Sequence, residues 1–338
     1  MNRRTLAFAG LLTLALAGGA VAQDVDSAGP EKPQSKPAGH PVELTLKRGG
    51  STTLDLRDLP PKPRRQRTRP ERPEPPLRPV QLPGGPQPSA VVPPSRQAAA
   101  PPPIIDFDGL DREFWGAGSP PDTNGDAGPT YYIQSVNTSV GIYDKTTGAQ
   151  VTAFTFDTLM SQGTFGNQCD TENFGDPVVL YDTFEDRWVL TDFAFTLDGG
   201  GSVNPPEAFQ CFAVSKSGDP VTGGWNFYSI RLADALNDYP KFGVWPDGIY
   251  MSANLFGFPA GGAFQGLGVW AFNKAQMYAG APNVQVIAFR PGSGDFTLLP
   301  SNARLQTGTP PPGTPNYFIS SWNFLNALTV YKFHADWN

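Results

Sequence analysis

From Tyr131 onward the chain repeats one phrase four times: an aromatic, β-branched run, a polar or glycine-containing break, then a second apolar run. The copies read YYIQSVN…VGIYDKTTG, RWVLTDFAF…CFAVSKSG, GIYMSANLF…GVWAFNKAQ and NYFISSWNF…LTVYKFHAD. Anchored on Tyr131, Trp188, Tyr250 and Phe318, they lie 57, 62 and 68 residues apart. Within the second copy the apolar runs predict strands at DPVVLYD, RWVLTDFAF, QCFAVSK and WNFYSIR. Within the third they predict strands at YPKFGVW, GIYMSANLF, LGVWAFN and VQVIAF. Four short strands per unit, recurring at this period, predict an all-β, β-propeller-like domain over residues 104–338, because a single small sheet cannot bury both faces and must stack on its neighbours. About four four-stranded blades are readable. The first lacks a clear strand before Tyr131 and the last has no outer strand after LTVYKFHAD, so an incomplete ring is expected. The one helix-like patch is NKAQMYAG, near Lys274.

The pattern before residue 104 is different. Arg3 and Arg4, the apolar run from Leu6 to Leu16 and the small-residue ending Ala20-Val21-Ala22 read as a signal peptide over residues 1–22. That run is too short to span a membrane, and the expected location is secreted or periplasmic, without membrane insertion. Residues 23–103 hold 20 of the 37 prolines, and apolar residues are too sparse there to offset the entropy of ordering. They read as a disordered Pro/Arg-rich spacer. Within it, PVELTLKRGGSTTLDLRDL (residues 41–59) alternates apolar and polar positions on either side of Gly49-Gly50 and reads as a small hairpin.

Charge separates these regions. Residues 23–103 carry 13 Lys/Arg against 8 Asp/Glu, a net of +5, whereas residues 104–338 carry 10 against 23, a net of −13. The arginines of the spacer come without an aromatic platform, so they read as a solvated linker and no nucleic-acid partner is expected. Cys169 and Cys211 fall in one repeat of a chain read as exported, and a disulfide between them is expected.

Three phrases, PPDTNGDAGP, GDPVVLYD…DRW and YPKFGVWPDGIY, resemble those of an uncharacterised family of secreted bacterial proteins with a propeller-like β-repeat domain. The resemblance covers about residues 104–338. It implies that fold and an extracellular address, and it implies no particular activity.

Candidate chemistry rests on carboxylates and aromatics. Asp126, Asp176 and Asp238 precede the first strand of three repeats, where equivalent positions would converge on one mouth of a central channel. Such a trio could hold a cation or handle a sugar, or each aspartate could simply bond backbone amides in its own turn. Asp122, Asn124 and Asp126 match the opening of a D-x-N-x-D calcium loop, though Ala127 replaces the sixth-position glycine and Ile133 the closing glutamate. For hydrolysis, the carboxylates to test first are Asp176, Glu172 and Asp238. No histidine-based triad is expected, since the histidines are His40 and His334. Trp115, Trp225 and Trp322 lie beside Gly- or Asn-containing segments and are candidates for stacking on sugars. The leading expectation is therefore an exported, non-enzymatic binding domain for an extracellular ligand such as a polysaccharide or envelope partner, with Ca2+ as a structural cofactor. A carbohydrate-active hydrolase and a purely structural envelope protein are the alternatives.

Overall fold

A computed structural model describes residues 8–9, 14–15, 39–61, 102–111, 114–115, 120–232, 234–258, 262–292, 294–304, 308–321 and 327–337. The fold is all-β, with 50% strand and 8% helix. Its strands are β1 (Phe8–Ala9), β2 (Leu14–Ala15), β3 (Val42–Thr52), β4 (Asn124–Ala127), β5 (Tyr131–Val136), β6 (Ser139–Asp144), β7 (Gln150–Thr155), β8 (Asn173–Asp182), β9 (Arg187–Ala194), β10 (Ala208–Ser215), β11 (Trp225–Leu232), β12 (Ala235–Val244), β13 (Ile249–Gly257), β14 (Phe264–Phe272), β15 (Asn283–Gly292), β16 (Leu299–Pro300), β17 (Asn316–Ser320) and β18 (Ala327–Phe333). Two short helices, α1 (Phe156–Met160) and α2 (Lys274–Tyr278), are opened by Thr155 and Asn273, whose side chains accept from the Thr158 and Gln276 amides. The second of them falls on the helix-like patch read from the sequence.

Three sheets result. The first is the antiparallel meander β4-β5-β6-β7, and the last orders β1-β18-β17-β16 with β2 also on β18. The remaining one is a nine-stranded sheet ordered β12-β13-β14-β15-β3-β11-β10-β9-β8, whose two end strands pack against each other so that it nearly closes into a barrel. The eight strands read as two separate four-stranded units are thus joined into one sheet, and β3 is the joint.

That joint corrects the hairpin reading of residues 41–59. Val42–Thr52 is one continuous strand, antiparallel to β15 through Leu46↔Val284 and Leu44↔Val286 and to β11 through Asn226↔Ser51 and Tyr228↔Arg48. The Gly49-Gly50 pair does not turn the chain. A Cβ on Gly49 would stand 2.6 Å from the Phe165 ring and 2.7 Å from the Gly163 carbonyl oxygen, and one on Gly50 would stand 2.8 Å from that same oxygen. The glycines are there because only a bare backbone fits under the turn at residues 161–165. Beyond β3, Leu56 and Leu59 are buried in the core shared with the first sheet, and the Leu56 amide donates to the Val221 carbonyl at 2.9 Å. Residues 42–59 therefore form a packed strap and are not part of an unpacked spacer; the proline-rich residues 62–101 lie outside the described residues.

Aromatic side chains fill the spaces between sheets. Ile133, Phe154, Trp188 and Trp225 share one cluster joining the first sheet to the nine-stranded one. Tyr250, Phe289, Phe318 and Phe333 share another joining the last sheet to it, and Phe212, Tyr228, Phe242 and Phe272 fill the middle of the nine-stranded sheet. Cys169 and Cys211 form the expected disulfide within the first of these clusters, with Cα atoms 5.8 Å apart. Among the described residues no helix is long and apolar enough to cross a membrane.

Candidate functional site

The first strands of the four repeats meet around one cavity of about 430 Å³. Residues 122–126 line it from β4 and the turn before it, residues 176–180 from β8, Tyr239, Lys241 and Phe242 from β12, and Leu299, Pro300, Asn302 and Arg304 from β16 and its continuation. Each strand enters through a non-glycine residue in the left-handed region: Asp122 (φ 46°), Asp176 (φ 47°), Tyr239 (φ 53°) and Thr297 (φ 56°). In β8 and β12 these residues coincide with breaks in register, between Gly175 and Val178 and between Asp238 and Lys241. The recurring phrase of an acidic or aromatic residue before proline, Asp176-Pro177 and Tyr239-Pro240, is thus a β-bulge that re-aims the strand, since proline offers no ladder donor. Strained residues of this kind persist where surrounding structure holds them, and here they gather at the cavity.

The aspartate and asparagine side chains stitch neighbouring strands together. Asn124 Oδ1 accepts from the Val179 amide at 2.9 Å and Asp126 Oδ2 from the Tyr181 amide at 2.8 Å, so β4 is tied to β8 through side chains in place of a backbone ladder. The other Asp126 oxygen takes the Ala127 amide at 2.7 Å and is ion-paired with Arg304. Asp176 Oδ2 accepts from the Tyr239 amide at 3.0 Å, linking β8 to β12, and Asp122 Oδ2 accepts from Asn137 Nδ2 at 2.5 Å. These links give the recurring aspartates a shared role: Asp126 and Asp176 each accept from a backbone amide of the first strand of the next repeat, Asp126 bonding the adjacent Ala127 amide as well.

Two cations sit among these carboxylates, and neither was singled out from the sequence, because nothing local marks them. Arg304 serves Asp126. Lys241 Nζ lies 3.2 Å from the centroid of the Tyr239 ring. Burial lowers the pKa of its ammonium, while the charges of Asp176, Asp122 and Asp238 pull it back up. Tyr239 itself is 47% exposed at the edge of the cavity. Asp192 was also missed. Its carboxyl is wholly buried, and desolvation raises its pKa well above the ordinary value, although Oδ1 accepts from the Gly175 amide at 2.9 Å.

The remaining expected site residues separate. Asp238 is buried in β12 one residue before Tyr239 and, like Glu172, is not among the residues lining the cavity. Trp225 is fully buried, its Nε1 donating to the Pro220 carbonyl at 2.9 Å, and Trp115 packs with Leu110, Val136 and Ala153. Both rings are therefore committed to packing and not presented to a ligand. Trp322 lies outside the described residues. Neither a family model, nor a curated protein, nor a solved structure matches this chain.

Among the described residues no group of three or more His, Cys, Asp or Glu could hold a metal ion. The oxygens of the D-x-N-x-D loop already have protein partners: Asn124 Oδ1 and Asp126 Oδ2 bond β8 amides, Asp126 Oδ1 bonds the Ala127 amide and Arg304, and Asp122 Oδ2 bonds Asn137 Nδ2. Millimolar calcium or EDTA should accordingly leave the melting temperature unchanged, while Asp126→Ala should cost about 1.5–3 kcal/mol whether calcium is present or not, by stranding the Tyr181 amide and Arg304. A calcium-dependent rise in melting temperature that Asp126→Ala removes would overturn this account.

Proposed function

We propose that the chain is an exported, non-enzymatic binding domain of four-bladed propeller type whose axial cavity takes a polyhydroxylated ligand, a segment of extracellular polysaccharide. The observation that carries this reading is the meeting of four first strands around one polar cavity, with Tyr239 exposed at its edge. A sugar ring needs an apolar face to lie on and a mixture of donors and acceptors around its hydroxyls. Tyr239 offers the face, Asp122 and Asp176 the acceptors, and Lys241 the donor. The propeller reading is supported by the run of consecutive antiparallel strands in each repeat, β3 acting as an added clasp along the outer edges of the second and third units. Export is supported by the features of residues 1–22 and by the disulfide. Glu172 and Asp238 are not among the residues lining the cavity, so neither pairing with Asp176 read from the sequence supports hydrolysis there.

A glycan array probed with the full exported chain, beside the Tyr239→Ala and Lys241→Met variants, tests the reading. Binding to at least one polysaccharide class is expected, weakened tenfold or more in each variant, with no reducing ends released on prolonged incubation. Absence of glycan binding, binding indifferent to both substitutions, or catalytic release of reducing ends would each defeat it.

A further inference from the structure

The strap residues 42–59 hold the molecule together along an edge that no neighbouring stretch of sequence serves. β3 forms ladders on both sides, so without it β11 and β15 would each present a bare row of amides and carbonyls. The grip is mostly backbone. Leu46 is the fully buried side chain of the strand, Leu44 is half-buried, and Val42 is 54% exposed. Two leucines beyond the strand, Leu56 and Leu59, complete the anchorage. Every one of these contacts is available equally to the strap of another molecule.

Chain length does not decide which molecule supplies it. Between Pro61 and Pro102 lie residues 62–101, a stretch able to reach at most about 145 Å. The entropic cost of closing a loop grows only slowly with its length, so a tether this long confers a finite advantage on the chain's own strap, equivalent to an effective concentration on the order of millimolar.

We propose that the slot between β11 and β15 is a strand-acceptor site that takes residues 42–59 from a second copy of this chain. Two copies exchanging straps reciprocally leave no bare edge on either, which closes the assembly as a two-fold dimer and ends its growth there. The ligand is thus an extended segment with leucines at alternate positions, a glycine pair where the backbone passes residues 161–165, and two further leucines that reach the first sheet. The inference does not depend on what the axial cavity binds.

Cross-linking in register tests it. Lys47 and Asn283 are exposed and directly opposed in the ladder. Full-length K47C and N283C chains, unfolded together without reducing the native disulfide and refolded as a mixture, should yield a covalent dimer joined through positions 47 and 283. Its share should rise with protein concentration and reach about a quarter near 1 mM, since only half of the exchanged pairs carry the two cysteines on different chains. K47C mixed with T146C, which places the second thiol away from the slot, should give no such linkage, and K47C/N283C on one chain, oxidised while dilute, should remain monomeric. Failure of the mixture to form the 47–283 dimer at any concentration up to that value, while the double variant cross-links within one chain, would overturn the proposal. Dimers linked at unrelated positions would overturn it as well.

Discussion

Replacing Lys274 by methionine should cost about 3–5 kcal/mol, as the loss of one partner from a buried ion pair typically does. Lys274 Nζ lies 2.9 Å from Asp182 Oδ2 with both side chains withdrawn from solvent. The same oxygen accepts from the Tyr278 hydroxyl at 2.8 Å, and Asp182 Oδ1 accepts from the Phe184 amide at 2.8 Å. Burial and the Asp182 charge push the Tyr278 hydroxyl well above its ordinary pKa, so it remains a donor at any working pH. Asp182 ends β8 and Lys274 opens α2, so this cluster pins the second unit to the third. Methionine would fill the space left by the lysine chain but leave a carboxylate in the interior facing only neutral donors. Urea unfolding of K274M should show the full loss, and the double variant D182N/K274M should recover most of it, because the pair as a whole contributes far less than either half deprived of the other. A loss under about 1 kcal/mol in K274M would mean that water reaches Asp182.

Removing the Cys169–Cys211 disulfide should be comparably damaging. The bridge closes a loop with a sequence separation of 42, which limits the unfolded chain by about 4 kcal/mol. For a folded region of this size that corresponds to a fall in melting temperature of about 8–16 °C. Both cysteines are fully buried, so the comparison is best made between the native protein and the Cys169→Ala/Cys211→Ala variant, or after reduction and alkylation under denaturing conditions. A fall of less than about 2 °C would show that the loop is already restricted in the unfolded chain.

Much of the fold was legible because each repeat carries short aromatic and β-branched runs bounded by turn residues, the composition of strands buried on both faces. The runs read at residues 187–195 and 225–231 became β9 and β11, and those at 248–256 and 284–289 became β13 and β15. What escaped was non-local. The alternation at Val42, Leu44 and Leu46 was visible, but its partners Val284 and Val286 lie at the far end of the chain, and a glycine pair reads locally as a turn whether it bends the chain or passes beneath another segment. The aspartates at strand starts were legible as a recurring feature, and Asp126 and Asp176 do meet at one cavity. Lys241 and Arg304 were not, since their significance comes from the burial and neighbours that only the assembled sheets provide. Trp225 was misplaced for a related reason: the glycines beside it mark the end of a hairpin, and the ring itself turns into the core.

The pairing of Leu46 with Val284 sets a constraint on the order of events when the protein is made. The strap emerges from the ribosome early, yet both strands that flank it are synthesised much later, β15 after most of the chain has appeared. Until then the nine-stranded sheet lacks its joint, and contacts of such long sequence separation form slowly because the intervening chain must first be gathered in. The nine-stranded sheet therefore acquires its joint only near the end of synthesis, however early the strap itself is made.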